Sequence, residues 1–147
     1  MAERAKAWVL DVGARFPIAI SEHEMVEVLE TPRSHRVPRG PAYCRNVIVR
    51  HNEVMPLLDL SQLEPGGGET EAAPYTAILA YQGAQDAMVR RAGIRVRRAP
   101  KGITVGNEMD AVPPSGVTSA WRALLIACFD WQGQPVLIPD LGRLLLP

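Results

Sequence analysis

Side chains able to do acid–base, nucleophilic or metal chemistry are scattered through this chain of 147 residues. The imidazoles His23, His35 and His51 and the thiols Cys44 and Cys128 share no spacing that would bring them onto one metal ion. There is no Cys-x-x-Cys, no His-Glu-x-x-His and no ribbon-like cluster of ligands. A serine nucleophile in a Gly-x-Ser-x-Gly elbow is missing, and no two carboxylates stand in a recognisable catalytic frame. The glycine triplet at 66–68 is not a phosphate loop, because no Lys-Ser/Thr follows it. Enzymatic chemistry is therefore not expected, and neither a metal nor a cofactor is called for. The polar residues that remain suit recognition.

Two groups of them stand out. Arg50, His51, Asn52 and Glu53 separate the apolar runs 47–49 and 54–58, which is how a tight hairpin between half-buried strands reads. Asn52 is the natural pivot, since asparagine enters the left-handed region at low cost. Pro56 lies inside the second run and removes a ladder donor, so that strand is expected at an edge or a bulge. The second group is Arg90, Arg91, Arg95, Arg97, Arg98 and Lys101, basic residues with no acid among them. Alternation turns Ile94 and Val96 inward and Arg95 and Arg97 outward, giving a strand with one basic face. That face keeps open an alternative, a stand-alone small barrel binding an acidic ligand or RNA through residues 90–101. Against nucleic acid stand the lack of interleaved aromatics and a formal net charge of zero.

The elements that must position these groups are short. Residues 5–12 and 16–20 read as a hairpin turned at Gly13, with Trp8 in the core. Residues 21–30 read as one turn and a strand; Ser21 and Glu24 have capping-box spacing, and Glu22, Glu24, Glu27 and Glu30 make an acidic, solvated face. Residues 31–36 form a polar connection, 64–74 a flexible surface loop, 75–81 a buried strand and 82–85 a turn. Residues 102–116 read as irregular, with Pro113 and Pro114 excluding helix. Strand, glycine-bearing turn and strand then recur over 120–138. Asp140-Leu141 echoes Asp59-Leu60, with each aspartate placed to cap a short helix. The chain thus carries an internal duplication, which leads to paired small barrels.

Composition fits a single domain spanning 1–147, with approximate halves 14–73 and 74–147 and a strand at 5–12 that the two halves could share. Apolar residues make up 47% and charged residues 22%, close to the average for a folded globular chain, so wholesale disorder is not expected. The first 73 residues carry 8 basic and 11 acidic side chains and the remainder 8 and 5, an asymmetry able to orient a partner. No apolar run is long enough to span a bilayer, so no membrane insertion is expected. The two cysteines read as small buried hydrophobes of a reduced, cytoplasmic protein.

The run 38–60 resembles the signature of CheW-like coupling domains. Pro38, Pro41, Tyr43, Val47, Ile48, Glu53, Val54, Pro56, Asp59 and Leu60 fall in register with it, and Met25, Glu27 and Val28 match the family's Val-x-Glu-Val strand. The resemblance implies a mainly β fold of two small SH3-like barrels packed together, with short helices after the Asp-Leu motifs. It also implies a non-catalytic adaptor whose partners are the regulatory domain of a histidine kinase and the helical tip of a chemoreceptor. The implied protein-binding residues are Glu27, Val28, Arg50, His51, Asn52 and Glu53. Three positions within 38–60 depart from the pattern, the family's turn Arg-Gly falling on His51-Asn52 and the glycine before the strand on Asn46, and in the second half Val96-Arg97 stands where the family often has Val-Asp. Strand alternation sends Arg50 to the face opposite His51, so it is not expected to stand in for the missing arginine. The altered turn leads to the expectation of an accessory chemosensory system, such as one for pilus-driven motility. An exposed turn tip with no partner is the alternative for His51.

Overall fold

The computed structural model describes residues 4–64, 73–82 and 88–144. In chain order its strands are β1 (Arg4–Leu10), β2 (Ile18–Ser21), β3 (Met25–Glu30), β4 (His35–Arg36), β5 (Asn46–Arg50), β6 (Glu53–Leu58), β7 (Tyr75–Gln82), β8 (Val89–Val96), β9 (Lys101–Gly106), β10 (Leu125–Trp131) and β11 (Gln134–Pro139). Among the described residues helical structure is confined to single turns, including Leu60–Leu63, α1 (Ser119–Arg122) and α2 (Leu141–Leu144). The strands form two sheets, ordered β10-β11-β2-β1-β9 and β3-β7-β8-β6-β5-β4.

Each curled sheet closes on a core of its own. Ile48, Met55, Leu57 and Ile78 fill the six-stranded one, and Ala19, Phe129 and Val136 the five-stranded one. The largest cluster, including Leu10, Ile18, Leu58, Leu79, Ile94 and Trp121, lies where the outer faces of the sheets meet. Burying a large aliphatic or aromatic side chain there contributes roughly 1.5–3 kcal/mol, so the sheet-to-sheet contact fixes how the two subdomains sit. The architecture is the mainly β, two-subdomain arrangement expected from the sequence.

The duplication is visible residue by residue. Arg50 and Glu53 pair across the turn His51-Asn52, and Trp131 and Gln134 across Gln132-Gly133. All four turn residues have positive φ, between 50° and 79°, the two-residue turn whose twist suits a hairpin. Asn52 is therefore a pivot as expected, and His51 is a second. Each hairpin runs on into an aspartate cap: Asp59 accepts from the Ser61 amide at 3.2 Å and Asp140 from the Arg143 amide at 3.4 Å. The amides of Asp59 and Asp140 in turn donate to the carbonyls of Tyr43 and Leu124, at 2.9 and 2.6 Å. Both hairpins then use their second strand for a parallel pairing, β6 with β8 and β11 with β2.

Several expectations need correction. The sheets do not divide the chain near residue 73: β1 and β2 join β9, β10 and β11, while β7 and β8 join β3 to β6, and β1 belongs to one sheet only. β6 is an interior strand despite Pro56. Its parallel ladder to β8 begins at Leu57, one residue past the proline, so the missing N–H falls before the ladder. Residues 101–106, read as irregular beyond 101, form β9 against β1, the alternation having been masked by two glycines. Residues 119–122 are helical, capped by the Thr118 hydroxyl that accepts from the Trp121 amide, so the strand starts at Leu125. His35 and Arg36 form a short strand on β5. Most of the surface loop 64–74 and the turn 82–85 lie outside the described residues.

Candidate functional site

The register of β5 and β6 places Arg50 and Glu53 on the face that carries Ile48 and Met55, the inside of the six-stranded barrel. Glu27 stands opposite Ile78 on the same face, and Ile78 opposite Gly93, two residues from Arg91. Four charged side chains thus meet at one open end of this barrel, above its apolar core. Arg50 donates from Nε to Glu27 Oε1 at 2.9 Å and from Nη2 to Oε2 at 3.2 Å, a two-pronged contact. Arg91 Nη1 donates to Glu53 Oε2 at 3.0 Å. His51 Nε2 is 4.0 Å from Glu27 Oε1, with its side chain 74% exposed.

The electrostatics follow from this geometry. The hydrogen bond from Arg50 holds the Glu27 carboxyl below its ordinary value; partial burial opposes it, and the charges of Arg50, His51 and Arg91 add to the lowering. The same hydrogen bond raises the Arg50 guanidinium. Glu27 is therefore the hub of the mouth, and the cations around it keep it ionised.

The structure brings Glu27, Arg50, His51 and Glu53 together and leaves Asn52 and Val28 exposed beside them. Arg50, expected on the face opposite His51, makes the closer contact with Glu27, because it is the last inward-facing strand residue while His51 swings outward at positive φ. The basic run does not form one face. Arg91 and Arg95 flank Gly93 on the inner side of β8, and Arg90 lies on the other side opposite Tyr81. Arg97 and Arg98 lie beyond the end of β8, with Arg98 3.6 Å from Asp11. Two features of the site escaped the sequence reading. Arg91 belongs to the mouth, and Val49 and Val54 form an exposed apolar pair on the outer face of the β5–β6 hairpin. Alternation with Ile48 and Met55 is the signal that could have found the valines.

Among the described residues no group of three or more His, Cys, Asp or Glu could hold a metal ion. No described helix is long and apolar enough to cross a membrane.

Two curled sheets sharing a core, each built around the same hairpin and aspartate-capped turn, define a duplicated double-barrel β protein. The chain belongs to the CheW-like domain family, whose model matches residues 7–146. Among solved structures it is similar to the scaffolding protein TtCheW from Thermoanaerobacter tengcongensis, with a TM-score of 0.74 and 15% identity over 99% of this chain and 90% of that one. No curated protein sequence matches it.

Proposed function

We propose that the protein is a non-catalytic adaptor that couples the helical tip of chemoreceptors to the regulatory domain of a histidine kinase, in the cytoplasm and in an accessory chemosensory system. Membership of the CheW-like family supports the adaptor role, and the similar solved protein is itself described as a scaffolding protein. The observation that carries the assignment of the docking site is the two-pronged Arg50–Glu27 contact. It locks the end of β5 onto β3 and presents the His51-Asn52 turn and Val28 to a partner. A charge-assisted fork of this kind orients a surface more than it stabilises a fold.

The test measures binding of the full chain to the kinase regulatory domain and to the receptor tip from the same organism, each separately. Glu27→Ala and Arg50→Ala are expected to weaken at least one complex about tenfold with far-UV circular dichroism unchanged. His51→Arg with Asn52→Gly is expected to alter the same complex. Wild-type chain that binds neither protein overturns the adaptor reading. Binding that none of these substitutions changes overturns the site.

A further inference from the structure

The second barrel differs from the first at the end away from its turn. In the first, β4 covers the outer edge of β5, with His35 opposite Val47 and Arg36 opposite Asn46. The counterpart of β5 is β10, and among the described residues its outer edge is met by one bridge, Asp110 opposite Phe129, and one further bond, from the Ala111 amide to the Cys128 carbonyl. Beyond that point Ile126 is 66% exposed. A cavity of about 720 Å³ opens there into the barrel interior.

Its walls are small or apolar: Ala5 and Ala7 from β1, Ala19 from β2, Val105 from β9, Phe129 from β10 and Ile138 from β11. The volume falls within the range of about 300–1,000 Å³ typical of small-molecule sites. The charged residues that line it are Arg4, Lys6, Glu24, Asp110 and Asp140. Arg4 is already paired with Glu108 at 2.9 Å, which leaves one lysine and three carboxylates among the lining residues, acidic on balance. Burial raises the Glu24 carboxyl; a backbone hydrogen bond at Ser21 opposes the rise and the nearby charge of Asp140 adds to it. A cation beside these carboxylates would favour the ionised form of Glu24.

We infer that this cavity is a binding site for a small organic cation, an apolar ring or chain carrying a single ammonium group, with the apolar part against Ala7, Ala19 and Phe129 and the ammonium beside Glu24 and Asp140. The site stands apart from the Glu27–Arg50 mouth and does not depend on the adaptor reading. Its chemistry is that of a preformed pocket whose few polar groups set charge selectivity.

The probe is tryptamine, titrated into the full ¹⁵N-labelled chain, with indole-3-acetate and indole as matched anionic and neutral controls. Tryptamine is expected to give saturable amide shifts concentrated at residues 5–7, 19–21 and 129, and to bind at least about fivefold more tightly than either control. Glu24→Gln is expected to erase most of that preference while leaving indole binding unchanged. Ala7→Leu, which fills the cavity, is expected to abolish binding of all three; if that variant does not fold, Glu24→Gln decides. Absence of saturable shifts at millimolar tryptamine, shifts centred elsewhere, or equal affinity for the three probes would overturn the assignment.

Discussion

The ammonium of Lys101 stands 5.9 Å from the centre of the Trp131 ring, at the place in the second barrel that the Glu27–Arg50 ion pair occupies in the first. Trp131 precedes its turn as Arg50 does. Lys101 pairs with Val9 and Val9 with Ala19, as Glu27 pairs with Ile78 and Ile78 with Gly93. One backbone frame therefore holds an ion pair at one barrel mouth and a cation over an aromatic face at the other. Lys101 is exposed, and exposed contacts of this type contribute about 0.5–1 kcal/mol. Lys101→Ala is expected to lower unfolding free energy in urea by less than about 1 kcal/mol and to shift Trp131 fluorescence. A loss above about 2 kcal/mol would mean that the lysine holds more than the ring.

The turn of the first hairpin places His51 at φ 51° and Asn52 at φ 62°, where a side chain with a Cβ is strained and asparagine only mildly so. Asn52→Gly is therefore expected to raise the thermal midpoint slightly, equivalent to at most about 1 kcal/mol. Asn52→Val is expected to lower stability by about 1–2 kcal/mol, because a β-branched residue tolerates this region poorly. Thermal denaturation of the two variants beside the wild type reads the sign of each. Equal midpoints for glycine and valine would show that the turn relaxes to another conformation.

Local signals were legible in the sequence and distant pairings were not. Both hairpins, their turn residues and the caps at Asp59 and Asp140 depend on contacts a few residues apart, and these are where the sequence reading and the structure agree. The parallel pairings of β6 with β8 and β11 with β2 join segments tens of residues apart and are short. Neither a turn nor a periodicity announces them, so the division of the chain between sheets could not be read. The same holds at the site. Glu27 was identified through its strand motif, but its contact with Arg50 depends on β3 and β5 curling to one barrel end with three strands between them. Alternation predicted the face of Arg50 relative to His51 and was silent about what lay on that face.

The lowered Glu27 carboxyl makes a pH-dependent contribution whose sign is fixed. Unfolded, the group takes up a proton near its ordinary value of 4.5; folded, it does so at lower pH, because Arg50 holds the charged form. Its stabilisation is therefore present above about pH 4.5 and is lost as pH falls through the folded value. Glu27→Gln is expected to lower the thermal midpoint at pH 7 and to approach the wild-type midpoint as pH falls below 4.5. Added salt is expected to narrow the gap at pH 7, since the pair is partly exposed. A gap that stays constant with pH would show that Gln disturbs packing and not the ion pair.

Thr76 is fully buried in β7, and its hydroxyl has no hydrogen-bond partner among the described residues. Its neighbours explain why: it stands opposite Leu29 and Arg95 and close to the apolar side chains that crowd Gly93. A buried hydroxyl left without a partner costs about 1–3 kcal/mol. Valine has nearly the same shape and no donor to satisfy, so Thr76→Val is expected to raise unfolding free energy by about 1–2 kcal/mol. Thr76→Ser keeps the hydroxyl and removes the packed methyl, so it is expected to lose about 1 kcal/mol. Urea unfolding with an unchanged slope measures both. A Val variant less stable than the wild type would show that the hydroxyl is bonded in solution, and the opposite signs expected for valine and serine separate lost packing from relieved desolvation.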